Sequence, residues 1–332
     1  MSVEPVASQP VPPVQTPPAK ADSGRFSKVM LCIAVVIALV STGLAWKLYS
    51  RLIEHQVTAY SPKPEKDFTF VVDAYGFKYQ GDTGNLIDGD VLRYGAWEKD
   101  HVFFVRDYLK NLNEPNAVVI DVGANTGHHT LFYSRHAARV LAFEPFPPII
   151  ATFKQNMALN PHVKNIELYE VGLGDANAEL PFVAPVTQNH GQGSFRVEKP
   201  QDPGMKQLDT KLKIVPGDEY LKDKNLGPVA FIKIDIEGFE ESALKGLRQI
   251  MEKHRPMMEV EVAPPPVGTI PNFDKLKSLF PENYEFYLLA FSRDGRAKGL
   301  YHLEKLDPTD VSKGVIELIA CPKEKLNFLP GR

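Results

Sequence analysis

Apolar and polar positions divide the 332-residue chain into three regimes. Residues 1–27 carry many prolines and few large apolar side chains. Such a tail cannot bury enough surface to offset its ordering entropy and is expected to be disordered. Val29–Trp46 then runs without a charge between Lys28 and Lys47. At about 1.5 Å per residue these positions reach roughly 27 Å, close to a hydrocarbon core of about 30 Å. Trp46 and Tyr49 stand where interfacial aromatics belong. The pattern therefore predicts one transmembrane helix over 28–49 and a linker over 50–66. Its rivals are weaker. A cleaved signal peptide would use Gly43-Leu44-Ala45, but the run exceeds the roughly 7–15 residues of a signal core. A buried soluble helix would show a polar face. Lys20, Arg25 and Lys28 before the run against Lys47 and Arg51 after it leave the membrane side open.

From residue 67 to 332 the pattern becomes that of one globular domain. Phe68–Val72 and Gly76–Tyr79 form an expected hairpin, and Trp97–Leu112 has amphipathic helical spacing. Short β-branched runs then alternate with helical stretches. Strands are expected at Val118–Val122, Val140–Phe143, Ile166–Val171, Val229–Ile234, Met257–Val262, Phe286–Phe291 and Val315–Ala320. Helices are expected from His128 to His136 and over Ile149–Leu159 and Phe239–Lys253. This alternation predicts an α/β fold, a parallel-rich sheet with helices on both faces.

Charge and cysteine content narrow the classes little but usefully. The net charge is −3 and no Lys/Arg run exists, so nucleic acid is not an expected partner. Cys32 and Cys321 provide neither a disulfide framework nor zinc-ligand spacing.

The chemistry concentrates at two strand ends. Val118–Gly127 reads V-V-I-D-V-G-A-N-T-G, a buried strand, a glycine turn and a helix start that Asn125 or Thr126 is expected to cap. Asp121 and Glu144 lie 23 residues apart, each at a strand's carboxyl end, where open α/β sheets collect ligands. Glu144 can accept both hydroxyl protons of a ribose. A dinucleotide fingerprint would need a glycine where Asn125 stands. A side chain there disfavours a pyrophosphate, so an NAD-dependent oxidoreductase is the lesser reading. The turn suits S-adenosylmethionine, bound through its ribose and amino-acid portion near Asp121, Gly123, Asn125, Gly127 and Glu144.

The second cluster is Lys233-Ile234-Asp235-Ile236-Glu237-Gly238-Phe239-Glu240. Period-two alternation sets Lys233, Asp235 and Glu237 on one side while the chain is extended. Asp235 or Glu237 is the expected proton acceptor during transfer. His190, beside Gly191-Gln192-Gly193-Ser194, is a further acceptor-site candidate in a loop suited to a lid. His128 and His129 read as ordinary hydrogen-bonding histidines. No metal constellation stands out; Asp235 with Glu237 would need a third oxygen from elsewhere to hold magnesium.

Together, V-I-D-V-G-A-N-T-G, A-F-E-P-F-P and I-K-I-D-I-E-G-F-E-x-x-A-L-K-G resemble the FkbM-type S-adenosylmethionine-dependent methyltransferases, in order and spacing. Arg255-Pro256 followed by Met258-Glu259-Val260 resembles the family's next strand, and the likeness covers about 68–322. It implies a Rossmann-like class I methyltransferase fold and O-methylation of a hydroxyl on a glycan or secondary-metabolite-like acceptor. By the same resemblance, Asp121, Gly123, Asn125 and Gly127 line the cofactor loop, Glu144 meets the ribose, and Asp235 and Glu237 face the reaction centre. Val215-Pro216-Gly217-Asp218 departs from the family pattern. Thr187–Lys213 has no clear counterpart and is expected to help form the acceptor pocket. The alternative is a non-catalytic ligand-binding module on the same fold, which the intact carboxylates argue against.

Overall fold

The computed structural model describes residues 67–185, 193–195, 205–290 and 297–331. His190 and the apolar run Val29–Trp46 lie outside the described residues. Among the described residues no helix is long and apolar enough to cross a membrane.

The described residues open with a hairpin, β1 (Thr69–Ala74) and β2 (Phe77–Asp82), turning at Tyr75 and Gly76. Two helices follow, α1 (Leu86–Tyr94) and α2 (Lys99–Leu112). The alternating part comprises β3 (Val118–Val122), α3 (His128–Tyr133), β4 (Arg139–Phe143), α4 (Pro147–Ala158) and β5 (Ile166–Tyr169). A small sheet interrupts it: β6 (Gly172–Gly174), β7 (Ala178–Pro185) and β8 (Met205–Pro216), ordered β6-β8-β7. The chain re-enters the main sheet through α5 (Gly217–Leu221), β9 (Val229–Ile234), α6 (Glu240–Gly246), α7 (Arg248–His254) and β10 (Met257–Val262). It closes with α8 (Phe273–Ser278), β11 (Tyr284–Leu289), β12 (Leu303–Lys305) and β13 (Ile316–Pro322).

The main sheet has the order β12-β11-β13-β10-β9-β3-β4-β5. β5, β4, β3, β9 and β10 are parallel, whereas β13 runs antiparallel between β10 and β11. From β3 the chain winds one way through β4 and β5, then crosses to β9 and winds the other way. The switch point between β3 and β9 opens a crevice at the strands' carboxyl ends. This is the expected Rossmann-like α/β fold with a mixed, parallel-rich sheet.

Burial on both faces explains why the central strands read as continuous apolar runs. One core joins Ile120, Leu141, Ile232 and Val260 to Leu244, Met251 and Leu276 from α6, α7 and α8. The other joins Val119, Val140, Phe231 and Ile319 to Val105, Leu131 and Tyr133 from α2 and α3. Helices therefore cover both faces.

Three local expectations change. The single helix over Phe239–Lys253 is two helices broken at Leu247. Gly246 lies so close to the Gly174 carbonyl that a Cβ would sit 1.8 Å from it. Asp218 then accepts hydrogen bonds from Gln249 and Ile250 N–H at 2.8 and 2.9 Å, supplying a cap from outside the helix. The first helix after the glycine turn stops at Tyr133, and neither Asn125 nor Thr126 caps it. Gly127 stands at the N-cap; Asn125 Oδ1 is occupied by Thr126 N–H at 2.8 Å. Finally, α1 occupies a stretch without strong periodicity, held by Asn85, which accepts from Ile87 N–H, and by Gly95 in the left-handed region.

Candidate active site

Three of the five expected cofactor residues lie in the turn after β3, which makes three left-handed excursions. Gly123, Asn125 and Gly127 have φ of +86°, +51° and +85°. A Cβ on Gly123 would lie 1.9 Å from the Asp235 carbonyl oxygen, and one on Gly127 would lie 2.4 Å from the Phe153 ring. Glycine is required at both positions by conformation and by space. The turn is also buttressed from below. Thr126 Oγ1 lies 2.6 Å from Tyr79 Oη, which donates to buried Asp88 at 2.6 Å. The hairpin and α1 thus brace the loop.

Glu144, at the end of β4, meets this loop directly. Its Oε2 accepts from Asn125 N–H and its Oε1 from Phe146 N–H, each at 3.0 Å. Burial raises its pKa to about 7 despite those two bonds. Asp121 is enclosed more deeply and accepts from Thr130 Oγ1 at 2.5 Å. Burial raises it to about 6, against the pull of Lys233 and of that bond.

Across the switch point, Lys233 Nζ donates to Asp235 Oδ2 at 2.6 Å. Burial works against the charge on Lys233, yet Asp235, Glu98 and Glu259 hold its pKa well above the usual lysine range. Glu237 sits at φ +54°, uncommon for a residue with a side chain and followed by Gly238 at +97°. Its carbonyl accepts from Ser194 Oγ at 2.7 Å, which ties this turn to the segment beyond β7. Glu240 accepts from Gly238 and Ile236 N–H, so its carboxylate belongs to the turn rather than to a ligand. Burial, then Asp235 and Glu240, raise Glu237 to about 7.

One cleft of about 250 Å³ gathers Asp121, Gly123, Asn125, Glu144, Asp235 and Glu237. Gly127 is buried behind it against Phe153. The pattern along the chain sets Lys233 on the side of Asp235 and Glu237, but does not reveal Glu98 and Glu261 as part of the lining, nor the aromatic wall of Trp97, Phe146, Phe182 and Phe195. Lys233 has a local signal, a charge inside an otherwise apolar strand. Glu261 has a fainter one, the second acid of M-M-E-V-E-V. Glu261 supplies the third oxygen missing from the Asp235–Glu237 pair: the three carboxylates offer atoms within 4.8 Å of one another. Burial, then Asp235 and Glu317, raise the pKa of Glu261. His128 and His129 line the cleft too, and burial lowers both, His128 to about 3. They are neutral near pH 7.

Comparison with known proteins agrees with this geometry. The methyltransferase FkbM domain matches residues 121–287, just over half of the chain, from Asp121 of β3 to β11. Methyltransferase 1 of Beauveria bassiana is 30% identical over 155 residues, covering 40% of this chain and 59% of its own length. Methyltransferase sdnD of Sordaria araneosa is 27% identical over 198 residues, covering 50% and 76%. The hexuronic acid methyltransferase AglP of Haloferax volcanii is 26% identical over 176 residues, covering 50% and 68%. The chain thus spans about three-fifths of the Beauveria relative. Among solved structures, the FkbM methyltransferase of Methylobacillus flagellatus aligns with a TM-score of 0.37 and 18% identity, over 61% of this chain and 42% of that one. With the matched stretch carrying the glycine loop, Glu144, and the Asp235–Glu240 turn in one domain, the chain belongs to the FkbM methyltransferase family.

Proposed function

We propose that the chain is an S-adenosylmethionine-dependent O-methyltransferase acting on a neutral hydroxyl of a glycan or secondary-metabolite-like acceptor. The observation that carries this reading is the packing of Gly123 against the Asp235 carbonyl. It brings a glycine loop with a ribose-type carboxylate and a desolvated acid turn to one cleft.

The loop side fits such a cofactor. Glu144 uses one lone pair of each oxygen on backbone N–H groups, leaving others for a ribose diol. Bound there, S-adenosylmethionine would supply a methyl group activated by its sulfonium charge. The chain's part is alignment and proton removal. Asp121 and Glu144 hold the cofactor side. Lys233 fixes Asp235 through the 2.6 Å bond, which leaves Glu237 as the base. A carboxylate poised near pH 7 is matched to taking a hydroxyl proton at neutral pH.

The cleft's charge favours a neutral acceptor. Glu98, Asp235, Glu237 and Glu261 line it beside Lys233. Although the Haloferax volcanii relative is named for a hexuronic acid, Lys233 is already paired with Asp235 here. The other lining acids add no positive charge, so a uronate would meet no free cation among these residues. A single-pass tether over Val29–Trp46 is part of the same proposal. It rests on the uncharged run alone and is tested by resistance of the full-length chain to carbonate extraction.

The central test is calorimetry with S-adenosylhomocysteine and with NAD+, followed by transfer of labelled methyl to neutral, amino and uronic sugars. Binding of the first ligand, its weakening at least tenfold in Glu144→Ala, and label on a neutral hydroxyl are expected. Binding of NAD+ instead overturns the reading, and cofactor binding with no turnover on any acceptor favours a non-catalytic module.

A further inference from the structure

On the face of the sheet beneath α2, a second group of polar side chains lies beside the cleft without lining it. His101 of α2, Glu259 of β10 and Glu317 of β13 each offer an atom within 4.8 Å of the others. Their positions follow from register. Asp121, Lys233 and Glu259 stand side by side across β3, β9 and β10, and Glu261 faces Glu317 across β10 and β13. His101 comes down from the helix, with its Nδ1 2.9 Å from Glu259 Oε1.

That contact leaves much of the cluster without partners. Glu259 is 1% exposed, yet its Oε2 has no hydrogen-bond partner among the described residues. The hydroxyl of Tyr133, 0% exposed, has none either, and Glu259 is the charge that bears on it most strongly. Glu317 forms no ion pair with a described residue. Buried polar atoms are almost always satisfied, so the orphaned Glu259 oxygen, inside the cluster, points to a water or an ion.

We propose that His101, Glu259 and Glu317 form a binding site for a divalent transition-metal ion of the Zn2+ or Mn2+ class. One imidazole and two carboxylates suit such ions better than Ca2+ or Mg2+, which favour all-oxygen shells. Two carboxylates and a neutral imidazole balance a charge of two. Donors bound at about 2.0–2.1 Å in a tetrahedral shell stand roughly 3.3 Å apart. The His101–Glu259 separation is already close to that, and a rotation of Glu317 closes the third side. In the metal-free protein burial opposes the charge on His101, yet Glu259 holds it protonated, its pKa up to about 10, so binding must release that proton to solvent. The ion would pin α2 to β10 and β13, and Trp97 and Glu98, just before α2, line the cleft. The site would thus set one wall of the acceptor region. The inference does not depend on methyl transfer, because its readout is metal binding.

The rival location is the cleft trio Asp235, Glu237 and Glu261. The test uses the full-length protein, stripped with chelator and titrated calorimetrically with Zn2+ and with Mn2+. One equivalent per chain is expected, weakened at least tenfold in both His101→Gln and Glu317→Gln and unchanged within twofold in Asp235→Asn. Because His101→Gln disturbs a buried pair, circular dichroism checks its fold. The partly buried Glu317→Gln gives an independent measure through the visible spectrum of the Co2+-loaded protein, whose bands should shift. No binding by the wild type overturns the proposal. So does binding that survives both His101→Gln and Glu317→Gln, or that falls as far in Asp235→Asn as in those variants.

Discussion

The two halves of the cleft hold their carboxylates in opposite ways. On the β3–β4 side, Glu144 accepts two backbone N–H groups and Asp121 accepts a threonine hydroxyl. On the β9–β10 side, Asp235 has Lys233, whereas Glu237 and Glu261 make no side-chain hydrogen bond to a described residue and crowd one another. The first arrangement fixes a shape before any ligand arrives. The second leaves Glu237 and Glu261 desolvated with no described donor to hold them. Burial raises both sides alike, Glu144 and Glu237 each to about 7, so the contrast lies in the hydrogen bonds and is open to direct attack.

The largest effect is expected where the halves touch. Gly123→Ala forces a side chain into the left-handed region, at about 1–2 kcal/mol. It also drives a Cβ to 1.9 Å from the Asp235 carbonyl. Denaturant unfolding should show the domain destabilised by several kcal/mol, as overpacking adds about 1–3 kcal/mol. Cofactor binding and turnover should be lost together. A variant that keeps both would show that the halves are not coupled through this contact.

Glu237→Gln should separate the halves. Turnover is expected to fall by roughly 10²–10⁴-fold with cofactor affinity kept within about twofold. In the wild type the rate should rise with pH through about 7, the value to which burial, then Asp235 and Glu240, raise this carboxyl. Stability should move the other way. The folded value lies above the ordinary 4.5, so the group's contribution is full below about 4.5 and is lost as pH rises through about 7. Glu237→Gln should therefore raise Tm relative to wild type at pH 8 more than at pH 5. Equal Tm differences at the two pH values would mean that Glu237 is solvated and is not the base.

The same contrast explains what the chain reveals without its structure. The β3 turn is legible because its signals are local: a strand buried on both faces becomes an apolar run, and φ above zero selects glycine. The Asp235–Glu237 turn is legible for the same reason. Glu261 and Glu98 are not, because their membership depends on β9 lying beside β10 and on where α2 begins. Lys233 is visible as a charge in a strand, but its neighbours Asp121 and Glu259 are set by register. The break at Leu247 depends on Asp218, some thirty residues earlier, so helical periodicity runs straight through it. His190 lies outside the described residues, and its role rests on its glycine-rich setting alone.

The smallest effect is expected at Asn125, which with His128 separates this turn from a dinucleotide fingerprint. Its φ of +51° costs a side-chain-bearing residue something that glycine does not pay. Its Oδ1, however, accepts from Thr126 N–H at 2.8 Å, a bond worth about 0.5–1.5 kcal/mol. Asn125→Gly trades one for the other, so Tm should change little and cofactor affinity should stay within about threefold. Glu144 keeps its bond because it is made to the backbone N–H of residue 125, not to the side chain. Calorimetry on this variant with S-adenosylhomocysteine and NAD+ then asks what the asparagine does. A loss beyond tenfold would mean that its side chain touches the cofactor. A gain of NAD+ binding would mean that its bulk is what excludes a pyrophosphate.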